Sequence, residues 1–490
     1  MRRLESQRPV LSVSVRRFAA VAVAVVLSLP LGSCFLTSDP IPAAIDIPKA
    51  YRYGPRNADA ALPSVVWWRG FRSRELTDLI EQALTSNFDV AAAVARIIQA
   101  DAQSRISGAP LLPLLDFSGS ATRSRPAQTA SSGGPSIGPS ERTTYGVSLN
   151  ASYEIDFWGK NRATLRAAEE TAVASRFDRE VVALTTVVSV ANSYFRVLAA
   201  YDRLRIARDN LAAATRVYNL IKQRYDVGTA SALDLAQQES VVNAQRAAIP
   251  PLQQSLRQDI ATLAVLIGRS PERVVIRGRS MWRLAIPRVT PGLPSDLLAQ
   301  RPDVREAEAQ LAAANANVYA ARAAFLPSIQ LTGEGGYQSA ALRMLLRPES
   351  AFFSLAAGLA QPLLDGARLQ GQFDLQKGRQ EELLQLYRKA VVNGFADVER
   401  ALIAVQQTAV RVSLQNEVVR STRQAFEIAE TRLREGTVDL ITVLNTQQAL
   451  FQAQDVLAQA QLDRLQAVVS LFQALGGSWQ MPAPDPRRRP

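Results

Sequence analysis

Side chains that do chemistry are scarce in this chain. Its 490 residues include no histidine and a single cysteine. Without imidazole there is no His-based triad, no His general base and no His metal ligand. One thiol cannot make an intrachain disulfide or a multi-thiolate metal site. The residues that recur with meaningful spacing are helix breakers. RYDVGT ends at Thr229, and RLREGT ends 208 residues later at Thr437. Gly228 and Gly436 can take positive φ and end a helix, and a Ser or Thr just beyond can cap the next one. The chemistry these positions offer is backbone hydrogen bonding in a helical hairpin.

The lone thiol has an informative setting. Arg16-Arg17 precede an apolar run from Phe18 to Leu31, which ends in Leu31-Gly32-Ser33-Cys34. That run is shorter than the ~20 residues of a membrane span. A basic region, an apolar region and small residues describe a secretory signal over residues 1–33. Cys34 after Leu-Gly-Ser resembles the lipobox of bacterial lipoproteins. The resemblance implies cleavage before Cys34 and acyl chains that hold the protein to a membrane. Phe35, rather than Asp, follows the cysteine, which by the same resemblance implies sorting to the outer membrane. The alternative is a chance cysteine in a signal-anchor helix. Apart from that covalent lipid, no cofactor is expected. Losing residues 1–33 removes five Arg and one Glu, so the net charge falls from +12 to +8. Basic and acidic residues are interspersed except in Arg487-Arg488-Arg489, and export argues against nucleic acid as a partner.

The elements that place the two Gly-Thr breaks are written twice. Asp89-Val90 matches Asp303-Val304 at an offset of 214, as do Leu112-Pro113 with Leu326-Pro327 and Gly119 with Gly333. Further on the offset is 208: Val190 matches Val398, Arg203 matches Arg411, and Arg224 matches Arg432. The six extra residues of the first copy lie in or near 123–143, a stretch of turn and linker chemistry. The expected organisation is a signal peptide at 1–33, an extended tail at 34–72 anchored by Trp67 and Trp68, and a first repeat at 73–268. A mostly irregular linker at 269–294, a second repeat at 295–476 and a tail at 477–490 complete it.

Each repeat alternates between two periodicities. Strands are expected at about 114–122, 144–157, 328–338 and 352–362. Tyr145, Val147, Leu149, Ala151, Tyr153, Ile155 and Phe157 share one face of the second strand, with Gly146, Ser148, Asn150, Ser152, Glu154 and Asp156 on the other. Strands of about ten residues with one apolar face carry the transmembrane β-barrel signature. Two soluble hairpins with one buried face are the other reading. Unpaired edges cannot face lipid and barrels need about eight strands, so the membrane reading demands an oligomer of two or three chains. Elsewhere the pattern is helical. No Pro interrupts residues 160–227, enough for a helix of roughly 100 Å. Leu444, Phe451, Ala458, Leu465 and Phe472 keep a seven-residue spacing that favours supercoiling, while Gln447, Gln454 and Gln461 form a more polar row.

The segment PSDLLAQRPDVREAEAQLAAANANVYAARAAFLPSIQLTG at 294–333, YEIDFWGKNRA at 153–163 and QPLLDGARLQG at 361–371 carry a resemblance. They closely resemble the outer membrane factor family, the TolC/OprM-like efflux proteins, and its NodT-like lipoprotein subgroup, over residues 60–477. The resemblance implies a mainly α fold with membrane β: a homotrimer with a twelve-stranded β-barrel and coiled-coil helices forming a periplasmic α-barrel. It also implies a passive conduit, not an enzyme. A periplasmic adaptor would join it to an inner-membrane pump of the resistance-nodulation-division type, and small toxic compounds would pass through. A conduit for type I protein secretion and a lipid-anchored structural coiled coil are the competing functions.

By the same resemblance, the helix-turn-helix tips meet the adaptor through Arg224, Gly228, Thr229, Arg432, Gly436 and Thr437. The periplasmic aperture falls on Tyr225, Asp234 and Gln237 in the first repeat and on Thr442 and Asn445 in the second. Two aspartates of TolC are replaced by Thr442 and Asn445, and its gating tyrosine maps to Leu433. Asp234 and Asp439 are then the acidic candidates for an aperture ring.

Overall fold

The computed structural model describes residues 47–48, 50–54, 66–125, 141–289, 292 and 300–478. The signal peptide, Cys34, most of the 34–72 tail, the centre of the 123–143 loop, the Asp296-Leu297-Leu298 motif and residues 479–490 lie outside the described residues. The chain divides into a sheet-bearing unit, residues 108–164 and 315–378, and a helical unit, residues 43–107, 165–314 and 379–490.

The sheet has four antiparallel strands in sequential order: β1 (Leu114–Ser124), β2 (Arg142–Ile155), β3 (Ser328–Ser339) and β4 (Ala351–Ala360). Every strand matches its expected position to within two residues at each end. The register places Leu149 opposite both Phe117 and Gly335, which is itself opposite Phe353. Alternate residues therefore form one continuous apolar face across all four strands. β1 and β4 have no further strand partner among the described residues.

The helical unit begins with a 3₁₀ turn at Trp67–Phe71, followed by α1 (Arg74–Ser86). The other helices are α2 (Phe88–Gly108), α3 (Lys160–Asp226), α4 (Ala232–Ala247), α5 (Ile249–Leu266), α6 (Pro302–Ala323), α7 (Arg368–Arg434) and α8 (Leu440–Ala474). α3 and α7 each have 67 residues, and both ends of the pair are separated by the same 208 residues. Neither contains Pro, and α3 also lacks Gly, so nothing interrupts the hydrogen-bond ladder. The two returning arms differ. α8 runs unbroken for 35 residues, whereas the first repeat's arm is divided at Ala248 into α4 and α5. The division follows from Pro250 and Pro251, which lack the N–H groups a helix interior needs but are tolerated in a first turn.

The main apolar core gathers Phe71, Leu76, Ile80, Tyr194, Phe195, Leu198, Leu263, Leu465 and Phe472. Trp67 stacks on Phe472 at 4.7 Å, and Trp68 is buried beside it in the same core. Residues 269–289 are mostly irregular, with short 3₁₀ turns at Pro271–Arg273 and Met281–Arg283, but are more than a connector. Ile276 and Met281 are buried in the same core. Glu75 accepts from the backbone N–H groups of Arg277 and Gly278 at 2.7 and 2.9 Å, and buried Asp202 accepts from Met281 N–H at 2.9 Å. Along α8, Phe451, Ala458, Leu465 and Phe472 are buried as their spacing predicts. In the glutamine row Gln447 and Gln461 are buried as well.

Candidate functional site

The two hairpin tips have the same backbone construction. Gly228 and Gly436 both sit at φ +77°. Gly228 N–H donates to Tyr225 O at 2.9 Å and Thr229 N–H to Arg224 O at 2.7 Å. In the second tip Gly436 N–H donates to Leu433 O at 3.0 Å and Thr437 N–H to Arg432 O at 2.9 Å. This pair of bonds is the Schellman ending, in which a left-handed residue lets two otherwise orphaned carbonyls find partners. Each threonine hydroxyl also donates to its arginine's carbonyl, at 3.0 and 3.2 Å. The arginines therefore contribute first through their backbone, a role sequence reading did not assign.

Arg224 does more. Its Nη1 donates to Leu433 O at 2.9 Å, tying the first repeat's tip to the end of α7. Leu433 itself is buried in an apolar cluster with Val217, Ile221, Phe426, Leu440 and Val443. The residue aligned with a gating tyrosine is thus a core side chain here, and Tyr225 is the exposed aromatic of the tips.

Both acidic aperture candidates are engaged in helix caps. Asp234 completes a capping box: Asp234 N–H donates to Ser231 Oγ at 3.1 Å, and its Oδ2 accepts from Ser231 N–H at 3.0 Å. Asp439 is the N-cap of α8 and accepts from Thr442 N–H at 2.9 Å. The hydrogen bonds from Thr442 hold the Asp439 carboxyl below its ordinary range. Cap geometry and the helix dipole therefore account for these charges at their positions. Thr442 and Asn445 are exposed, and Gln237 is half-buried.

Gln237 lines an open groove of about 960 Å³ between α4 and α8, with Leu233, Val241, Leu444, Gln447 and Phe451. Under it two buried amides meet. Gln238 Nε2 donates to Ala214 O at 2.9 Å and approaches Gln447 Oε1 at 3.5 Å. Gln238 carries no heptad signal in the sequence. Gln447 belongs to the row that the seven-residue spacing marks as more polar.

The strand-to-helix junctions explain two of the sequence motifs. In YEIDFWGKNRA, Asp156 accepts from the backbone N–H groups of Asn161 and Arg162, both at 2.9 Å. Burial works to raise this carboxyl's pKa, but hydrogen bonds from Arg162 and Asn161 outweigh it and hold the group low. In QPLLDGARLQG, Asp365 accepts from Leu369 N–H at 2.9 Å. Each aspartate starts one of the 67-residue helices.

On the sheet, the apolar face is bare: Phe353 and Leu355 are 84% and 82% exposed. On the opposite face Asp116, Asn150, Glu334 and Ser354 form one rung across the four strands. Asn150 turns its amide to Ser118 Oγ at 3.1 Å and Ser148 Oγ at 3.4 Å. Phe352, opposite Gly336, and Leu114, opposite Ser152, are the large apolar side chains on that face among the described residues.

Comparison with known proteins places these features in context. The family described as outer membrane efflux protein matches residues 79–269 and 293–477. The pyoverdine export outer membrane protein OpmQ of Pseudomonas putida is 42% identical over 94% of this chain and 97% of its own length. The cation efflux system protein CusC of Escherichia coli is 30% identical over 93% of this chain and 98% of its own. Among solved structures, the outer-membrane channel OprN superposes with a TM-score of 0.83 at 23% identity, covering 91% of this chain and 99% of that one.

Proposed function

The chain belongs to the outer membrane efflux protein family, and from that premise we propose that three copies join their sheets into one closed barrel through the outer membrane. As a member, it is an outer-membrane channel of an efflux system with a helical body in the periplasm, a transport conduit and not an enzyme. The observation that carries the barrel reading is the sheet itself. Among the described residues, β1 and β4 leave their outer edges unpaired beside a bare apolar face. Lipid offers no hydrogen bonds to such edges, and four strands are too few to close. Three chains supply twelve strands, with the apolar face toward lipid and the polar face toward the lumen.

The long helices then line a passage across the periplasm. The tips at Arg224–Thr229 and Arg432–Thr437 face a periplasmic adaptor that links the conduit to an inner-membrane pump of the resistance-nodulation-division type. Cys34 carries the lipid that helps hold the chain in the outer membrane. The cargo is a class of small compounds chosen mainly by the pump, since relatives named for pyoverdine export and for cation efflux share the same fold over nearly the whole chain.

The test is the full-length protein purified in detergent. Cross-linking should stop at three chains, and the trimers should conduct in planar bilayers. A monomer without conductance overturns the barrel.

A further inference from the structure

We propose that Asp116 and Glu334 make the lumen wall of the barrel cation-preferring, and that this pair, rather than the acids at the helical tips, sets the conduit's charge preference. The inference rests on the closed barrel proposed above. Its starting point is the register, which puts both carboxylates on the rung that also holds Asn150 and Ser354. Both lie on the polar face and both are exposed. Neither has a hydrogen-bond or ion-pair partner among the described residues. The obvious partner between them, Asn150, gives its amide to Ser118 and Ser148 instead.

The rest of that face does nothing to neutralise them. Between Asp116 and Thr122, Thr144 and Ser152, Gln330 and Gln338, and Phe352 and Gly358, its residues include no Lys or Arg. Arg142 stands at the far end of β2, opposite Ser124. Glu154, at the other end, is already paired with Lys160 at 2.5 Å.

Three copies bring six such carboxylates to the lumen. Asp116 and Glu334 are two strands apart, about 10 Å. A strand tilt of about 40° offsets them by roughly 6 Å along the barrel axis, so they form a collar of modest height. Charges of one sign in a passage with low-dielectric walls raise the local concentration of the opposite ion. At the tips the acids are differently placed. Asp234 and Asp439 accept backbone N–H groups at helix starts, where the helix dipole compensates their charge.

Bilayer recordings of the full-length trimer under a KCl gradient test this. The wild type should favour K⁺ over Cl⁻. Asp116→Asn with Glu334→Gln should lower that preference by about twofold or more, and Ser354→Lys, which adds a cation to the same rung, should lower it without removing either acid. Asp234→Asn should leave it in place. Conducting variants with unchanged preference, a preference that follows Asp234 alone, or a wild type that favours Cl⁻ each overturn the inference while leaving the conduit standing. A wild type that never conducts overturns the barrel and this inference together.

Discussion

The side-chain amide of Asn87 donates to the backbone carbonyl of Leu266 at 2.9 Å, so the residue before α2 is fastened to the end of α5. Arg301 makes the equivalent reach in the second repeat, from Nη1 to Ala474 O at 3.1 Å. Asn87 and Arg301 are 214 residues apart, and Leu266 and Ala474 are 208 apart, the two offsets of the sequence repeat. Two unlike side chains thus close the two halves at corresponding points. Asn87 also caps α2 by accepting from Asp89 and Val90 N–H, while Arg301 pairs with Asp303 and Asp397.

Removing either clasp should destabilise the helical unit. Asn87→Ala loses a cap and leaves a carbonyl without its partner, at about 2 kcal/mol. Arg301→Ala takes a buried cation from two carboxylates and should cost about 3 kcal/mol. The sites share no partner, so the double variant should be close to additive. Denaturant unfolding followed by tryptophan fluorescence reads all three, and a wild-type midpoint for Arg301→Ala would contradict the clasp.

The glycines behind these clasps should tolerate substitution far less than those at the tips. A Cβ on Gly268 would lie 2.2 Å from Ser86 O, and one on Gly476 would lie 2.6 Å from Gln300 O. At Gly228 nothing lies within 4 Å. Gly228→Ala should therefore cost only the left-handed backbone penalty, about 1 kcal/mol, whereas Gly268→Ala must displace backbone and should abolish assembled trimer. Trimer yield after mild detergent extraction separates them. Equal yields from both would show that the contact at Gly268 is soft.

Much of this architecture was legible because the strands and the long helices depend on local pattern. Alternation at Tyr145–Ile155 placed β2, and the Pro-free run after Lys160 placed α3. Burial of amides was not legible, because a glutamine's hydrogen-bond partner is set by a neighbouring helix that the sequence does not position. Gln447 therefore read only as part of a more polar row. Likewise the aspartates at 234 and 439 read as aperture charge from their alignment. Their engagement as caps depends on backbone N–H groups that one-dimensional spacing only hints at.

The tip glycines should matter for assembly with the pump more than for folding. Substituting Trp at Gly228 or Gly436 keeps the apolar cluster around Val217 and Leu433 intact but distorts the Schellman turn. Trimers should form, while adaptor cross-linking and resistance to exported compounds should fall. Unchanged cross-linking and resistance in both variants would remove the tips from the docking surface.

Stability should fall as pH rises through the range set by Glu306. Burial, and then the charges of Asp178 and Asp303, push its carboxyl up to about 7. The folded state therefore holds a proton that the unfolded chain releases near 4.5. Between these values the native state binds more protons, so its stability declines with rising pH. Because the group is half exposed, screening reduces the effect to about 1–2 kcal/mol. Glu306→Gln should flatten this window, with a higher unfolding midpoint than wild type at pH 8 and a similar one at pH 5. Gln310, which donates to Glu306 Oε1 at 2.9 Å, can keep its partner in that variant. A variant no more stable at pH 8 would assign the decline to other groups.

Asp439 offers the sharpest separation of cap from charge. Its carboxylate is fully exposed and is held low by the bonds from Thr442, so the cap is present above the ordinary aspartate range and is lost as pH falls through the lowered value. Serine caps helices about as well as aspartate but carries no charge. Asp439→Ser should keep slow amide exchange at Thr442, whose N–H the cap accepts, and leave K⁺ preference unchanged. Asp439→Ala should speed exchange at Thr442 and likewise leave K⁺ preference unchanged. If both variants instead lose K⁺ preference equally while exchange stays slow, the carboxylate acts through its charge on the passage, and the cap is incidental.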